Sequence, residues 1–307
     1  DYELNNRYFT GYAGSSRFQF NLRKLNYSLW GNYGLSDFND PFDAWSWNGI
    51  RGTVQTLENK ENKETKVEKI EKKKLNVYCA ASMTETMQEI KKVYEEKHKD
   101  IELVYTFDSS GTLKKQIEQG SDVDIFISAA SKQMNALDKS KTPDAKVVID
   151  ESSRFNLLEN KVVLAVIKGN SLGLKDFTDL TKAEISKIAL GNSDVPVGQY
   201  SEELLKNLKI WDEIQSKVTF GSNVKEVTTW IKEGVANCGI IYATDAYSAG
   251  LEVVATAKEG MIKTPVLYPA AVLKNSKNPN EAKEFLEFLK GDECKAIFEK
   301  VGFTRAK

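Results

Sequence analysis

Residues 76–97, NVYCAASMTETMQEIKKVYEEK, begin as a β-strand and continue as an α-helix. The junction, Ala80-Ala81-Ser82-Met83-Thr84, has no Lys, Arg or His and none of the spaced glycines of a nucleotide-binding loop. Ser82, with Glu85 three residues on, has the spacing of a capping box and marks a helix start. A strand that turns into a helix through a small, neutral, hydroxyl-bearing corner is a place where a ligand can meet main-chain N–H groups.

The same alternation extends through residues 75–307. IELVYTF precedes a predicted helix at 112–119, and VDIFIS precedes one at 131–138. After VVLAVI come KIAL with a helix at 201–209, KVTF with 224–233, and CGIIYA with a short helix from Thr244. Near-continuous apolar strands separated by helical stretches predict an α/β fold with parallel sheets. The strands are too numerous for one sheet and the pattern restarts near residue 160, so two lobes are expected. VLYPAAVL and one C-terminal helix, PNEAKEFLEFLKGDECKAIFEK, close the chain.

Ligands of open parallel sheets sit beyond the carboxyl ends of the strands. Besides Ser82, those ends carry Ser109-Ser110-Gly111, Pro196 and Gly198, Ser222 and Asn223, and Tyr242. These corners offer hydroxyls and helix-start N–H groups and are read as offering no cation. Such donors, aided by helix dipoles, suit an anion. A protonated oxyanion would need an acceptor, and Asp108 is the one carboxylate nearby, so a fully deprotonated dianion is favoured. Any single Ser or Asn is an ordinary cap; the recurrence in two lobes carries the reading.

Composition narrows the alternatives. A formal net charge of −1 gives no pull toward nucleic acid, and Val162–Ile167 is far too short a run to span a bilayer. Three cysteines without C-x-x-C spacing indicate neither a disulfide framework nor a zinc site; Cys79 and Cys238 are expected in the core. The single histidine, His98, is expected on the solvated surface. No signal peptide is visible, so sequence alone does not reveal export.

Residues 1–53 are a different material: rich in Tyr, Phe and Trp, with strand-like RFQFNL and LNYSLW. This aromatic-rich segment is read as a small β appendage or a piece foreign to the rest. Asp37, Asn39, Asp40 and Asp43 could suggest calcium but lack the glycine and terminal glutamate of an EF-hand, so turn residues are preferred. Residues 54–74 alternate Glu with Lys and form a charged linker.

From Leu75 to Lys307 the chain resembles the molybdate-binding proteins of ABC importers, a branch of the type II periplasmic-binding-protein fold. The resemblance rests on AASMTETM, FDSSGTLKKQIEQGSDVDIFISA, VPVGQYSEELLKNLKIWD, GIIYATDA and VGFT. It implies two lobes, 75–160 with 266–307 and 161–265, joined by a hinge about a cleft. It also implies a site made of the Ser82 and Ser110 hydroxyls, the Val197 and Val224 amides and the Tyr242 hydroxyl. The implied ligand is molybdate, with tungstate alongside, delivered to a membrane permease; no catalytic residue, cofactor or separate metal is implied. Gly111 stands where many relatives carry a third serine. The linker is similar to the spacer of lipid-anchored relatives, implying an extracytoplasmic protein, tethered or periplasmic, and monomeric. The alternatives are a receptor for sulfate or phosphate, a serine enzyme, and an adhesion or display module. The enzyme reading is weakened because Ser110 lacks a G-x-S-x-G elbow and His98 is the only histidine.

Overall fold

A computed structural model describes residues 7–13, 16–21, 45–47, 50–56, 72–145 and 148–306. It divides into two units, Asp1–Lys69 and Ile70–Lys307. In the first, β1 (Arg7–Ala13), β2 (Ser16–Asn21), β3 (Trp45–Trp47) and β4 (Ile50–Thr56) form an antiparallel sheet in the order β2-β1-β4-β3. RFQFNL thus contributes a strand. LNYSLW and the quartet Asp37, Asn39, Asp40 and Asp43 lie outside the described residues.

The second unit opens with β5 (Lys73–Ala80), α1 (Thr84–Lys97), β6 (Ile101–Asp108), α2 (Ser110–Glu118), β7 (Ile125–Ile127) and α3 (Ser131–Asn135). Then β8 (Phe155–Asn160) leads through one residue into β9 (Val162–Val166). Next come β10 (Ile188–Gly191), α4 (Pro196–Asn207), α5 (Trp211–Ile214), β11 (Val218–Gly221), α6 (Val224–Lys232), β12 (Cys238–Tyr242), α7 (Ala243–Ala249) and β13 (Glu252–Thr256). The chain ends with β14 (Val266–Val272), α8 (Pro279–Leu289), α9 (Asp292–Lys300) and β15 (Thr304–Arg305).

These strands make two sheets, in the orders β15-β8-β14-β7-β5-β6 and β11-β10-β12-β9-β13. The expectation of parallel sheets needs correction, because both are mixed. β5, β6 and β7 pair in parallel, as do β10, β11 and β12, each reached through a helical crossover. β14, β8, β15, β9 and β13 pair antiparallel. The buried parallel strands are recognisable as continuous apolar runs: every residue of β10 and β12 is buried. FNLLEN of β8 has polar residues near both ends and gives no such signal.

The predicted single C-terminal helix is two. Gly291 takes an extended ψ of 162° and becomes the cap of α9, interrupting the helical ladder after α8. Cys79, Cys238 and Cys294 are buried. His98 departs from its solvated reading: it is half-buried and stacked on Tyr94 at 4.1 Å. Among the described residues, no helix is long and apolar enough to cross a membrane.

The chain passes between the sheets twice, at Lys161 and again between β13 and β14. The two passages adjoin, since the Ala257 N–H donates to the Val162 carbonyl at 2.8 Å.

Candidate anion-binding site

The first sheet delivers two serines by different local routes. After β5, residues Ala81–Met83 form one 3₁₀ turn that runs directly into α1. Ser82 therefore sits inside a turn and caps nothing; the expected capping box is absent. Its hydroxyl lies 2.8 Å from that of Tyr268 on β14, and Glu85 turns outward to Lys225. At the end of β6 the paired serines divide the work. Ser109 is the cap of α2 and accepts from the Thr112 N–H at 3.2 Å. Ser110, fully buried, accepts instead from the Ala129 N–H at 2.9 Å, just beyond β7.

The second sheet supplies mainly helix starts. Pro196 opens α4, where its fixed φ suits the first helical position. Val197 follows with its side chain buried, so its main-chain N–H is the one donor it can offer. Asn223 caps α6 by accepting from the Glu226 N–H at 3.1 Å, leaving Val224 as the first residue of a helix whose earliest N–H groups lack intrahelical partners. Tyr242 ends β12; its hydroxyl contacts the Ala129 carbonyl only at 3.4 Å. Burial pushes the phenols of Tyr242 and Tyr268 well above the ordinary tyrosine pKa, so both remain protonated donors.

Ser82, Ser110, Val224 and Tyr242 line one cleft of about 200 Å³, counted out to its mouth, together with Asp108, Ser109, Ala129, Val195 and Pro196. Val197 is not itself on the lining, although Pro196 immediately before it is. Ala129 and Val195 escaped the sequence reading because alanine and valine present only main chain. The available signal for Ala129 was positional: VDIFIS ends at a third corner of the same kind. A roomier hollow of about 890 Å³ around Lys115, Glu118 and Asp144 contains no fully buried residue and none of the predicted ones.

One expectation about charge needs refinement. Lys225 does stand at a corner, beside Val224, but its ammonium is committed elsewhere. It lies 2.7 Å from Glu85 and 3.0 Å from Asp245 Oδ1, the latter an ion-pair distance without hydrogen-bond alignment. Burial lowers the Lys225 pKa, but Asp245 and Glu85 outweigh it, and the net shift is upward. Asp245 is pushed up to about 6, by burial first, with Lys225 pulling it back.

Opposite walls of the cleft touch. The Gly111 N–H donates to the Asp194 carbonyl at 3.0 Å, and Lys115 pairs with the Asp194 side chain. A Cβ on Gly111 would lie 2.2 Å from that carbonyl oxygen, so the close approach requires glycine. Asn223 Nδ2 stands 3.5 Å from Asp108 Oδ1, a weak polar contact across the same gap.

Two mixed sheets with helix starts facing a shared cleft define a two-lobed α/β binding protein. The chain belongs to the family of bacterial extracellular solute-binding proteins, whose sequence model matches residues 75–304; members capture solutes and are not enzymes. YvgL of Bacillus subtilis (strain 168), provisionally named an ABC transporter substrate-binding lipoprotein, is 37% identical over 75% of this chain and 86% of its own. The molybdate-binding protein ModA of Escherichia coli (strain K12) is 36% identical over 75% of this chain and 89% of its own. The periplasmic molybdate-binding protein of Azotobacter vinelandii superposes with a TM-score of 0.66 at 21% identity, covering 76% of this chain and 100% of that one, and so shares the fold.

Proposed function

We propose that residues 75–307 form a receptor for molybdate, with tungstate as a second ligand, that delivers it to the permease of an ABC importer. Two serines, a tyrosine, the first residue of α6 and Pro196 at the start of α4, just before Val197, line one cleft whose nearby lysine is already neutralised by two carboxylates. That convergence of uncharged donors carries the reading. In it, Ser82 and Ser110 donate from one lobe, 75–160 with 266–307. The Val197 and Val224 amides and the Tyr242 hydroxyl donate from the other, 161–265. Exclusion of water from the cleft lowers the local dielectric and strengthens each dipole. The relatives named for molybdate support the choice of ion.

The proposed location is outside the cytoplasmic membrane, supported by the family and by the charged stretch between β4 and β5 as part of a tether to a lipid anchor. The proposed working form is a monomer. Titration calorimetry with molybdate, tungstate, sulfate and phosphate tests this function. Molybdate and tungstate are expected to bind far more tightly than sulfate, and a preference for sulfate overturns the assignment. Asp108 on the cleft is the one group suited to accept the proton of hydrogen phosphate, so tight phosphate binding would favour that second ligand.

A further inference from the structure

Among the described donors in the cleft, Ser82 has a neighbour of a different kind. Ser110 receives its hydrogen bond from a main-chain N–H, which can only donate. That bond occupies a hydroxyl lone pair and leaves the Ser110 hydrogen to point elsewhere. Ser82 instead meets another hydroxyl, that of Tyr268, at 2.8 Å, and either oxygen could supply the proton. If Ser82 donated to Tyr268, it would present lone pairs to the cleft and repel a deprotonated anion.

The surroundings of Tyr268 favour one direction. Asn160 Nδ2 donates to the Tyr268 hydroxyl at 3.1 Å and to Thr244 Oγ1 at 2.9 Å. The Asn160 amide cannot be turned over, because its Oδ1 accepts from the Lys161 N–H at 2.8 Å. Tyr268 thus accepts from Asn160, which takes up one of its lone pairs and leaves its proton free to be given to Ser82. The inner part of this chain is well buried: Tyr268 is fully buried, Thr244 is 2% exposed and Ser82 is 5% exposed, while Asn160 is half-buried. Burial also keeps the Tyr268 phenol protonated, which the relay requires.

We infer that Tyr268 and Asn160 are positioning residues that set the polarity of Ser82, forcing its hydroxyl to donate into the cleft and thereby selecting oxyanions that carry no proton. Asn160 is the last residue of β8, where the chain leaves the first sheet, and Thr244 lies in α7 beside the second. The relay therefore starts at the passage between the sheets and ends at the ligand. The inference rests on the molybdate reading, since it requires Ser82 to touch the anion.

A double-mutant cycle on the full chain tests it, with molybdate affinity measured by calorimetry for Tyr268→Phe, Ser82→Ala, Ser110→Ala and the two double variants with Tyr268→Phe. Tyr268→Phe is expected to weaken binding on the order of tenfold. In the Ser82→Ala background it should add less than half of that loss on a logarithmic scale, because there is no hydroxyl left to orient. In the Ser110→Ala background its effect should persist in full, which a general loosening of the core would not produce. Wild-type-like affinity of Tyr268→Phe, or full additivity with Ser82→Ala, overturns the inference. If Tyr268→Phe does not fold, Asn160→Ala takes its place in the same cycle with the same criteria. Wild-type protein that ignores molybdate sinks the receptor reading and this inference together; wild-type binding with additive losses sinks the inference alone.

Discussion

Ser109 and Ser110 are adjacent, share a chemistry and have opposite fates. The Ser109 hydroxyl is consumed by its own helix, accepting from the Thr112 N–H, whereas Ser110 is held by an amide 19 residues away. Ser109→Ala is accordingly expected to lower stability by about 1 kcal/mol, the usual value of a helix cap, and to change molybdate affinity little. In the proposed site, Ser110→Ala removes a donor to the ligand, and it leaves the Ala129 N–H without its acceptor. It should weaken binding by about 1–3 kcal/mol. Parallel urea denaturation and calorimetry on the two variants separate these outcomes, and a reversal of the pattern would reassign the pair. The sequence showed that a serine-bearing corner existed here. The corner alone did not separate Ser109 from Ser110; the family resemblance named Ser110, and both line the cleft, with Ser110 held by the Ala129 N–H from beyond another strand.

At the level of elements, legibility followed locality. The parallel strands and their helices were readable because a strand buried on both faces must be apolar along its length, as in IALG of β10. β8, β13 and β15 were not, since an antiparallel partner imposes no such composition and β15 is only Thr304–Arg305. Ser82 was found as a corner residue, but its partner Tyr268 lies 186 positions away, beyond any spacing rule. The start of α2 illustrates a subtler case. Gly111 was noted as a missing serine, yet the Asp194 carbonyl, 2.2 Å from where its Cβ would sit, makes the small residue a requirement of the contact. Gly111→Ala should hold α2 away from Asp194. A loss of about 1–3 kcal/mol in ligand affinity is expected, as for other overpacked contacts. Small-angle scattering of the molybdate-loaded variant should give a larger radius of gyration than the wild type, and identical values would show that the lobes adjust without separating.

Across the whole molecule, Glu85 on α1, Lys225 on α6 and Asp245 on α7 tie helices of both sheets together. Asp245 has a folded pKa of about 6 against an ordinary 3.8, so between those values the native state binds more protons than the unfolded chain. The stability that this group contributes is complete below about pH 4 and is lost as pH rises through 6. Comparing urea midpoints of wild type and Asp245→Asn from pH 4 to 7 should show the wild type losing on the order of 3 kcal/mol relative to the variant over that window. Parallel profiles would mean that Asp245 ionises normally. Ligand should act on the same scale: molybdate at 100 times its dissociation constant should add about 2.7 kcal/mol, read as a thermal shift. The adjoining passages between the sheets have a further consequence. Because Val162 and Ala257 are hydrogen-bonded to each other, everything threaded between them begins and ends at one place. That stretch is laid out as a removable cassette, whose ends could be joined by a short loop or grafted into an exposed turn of an unrelated host without stretching either chain.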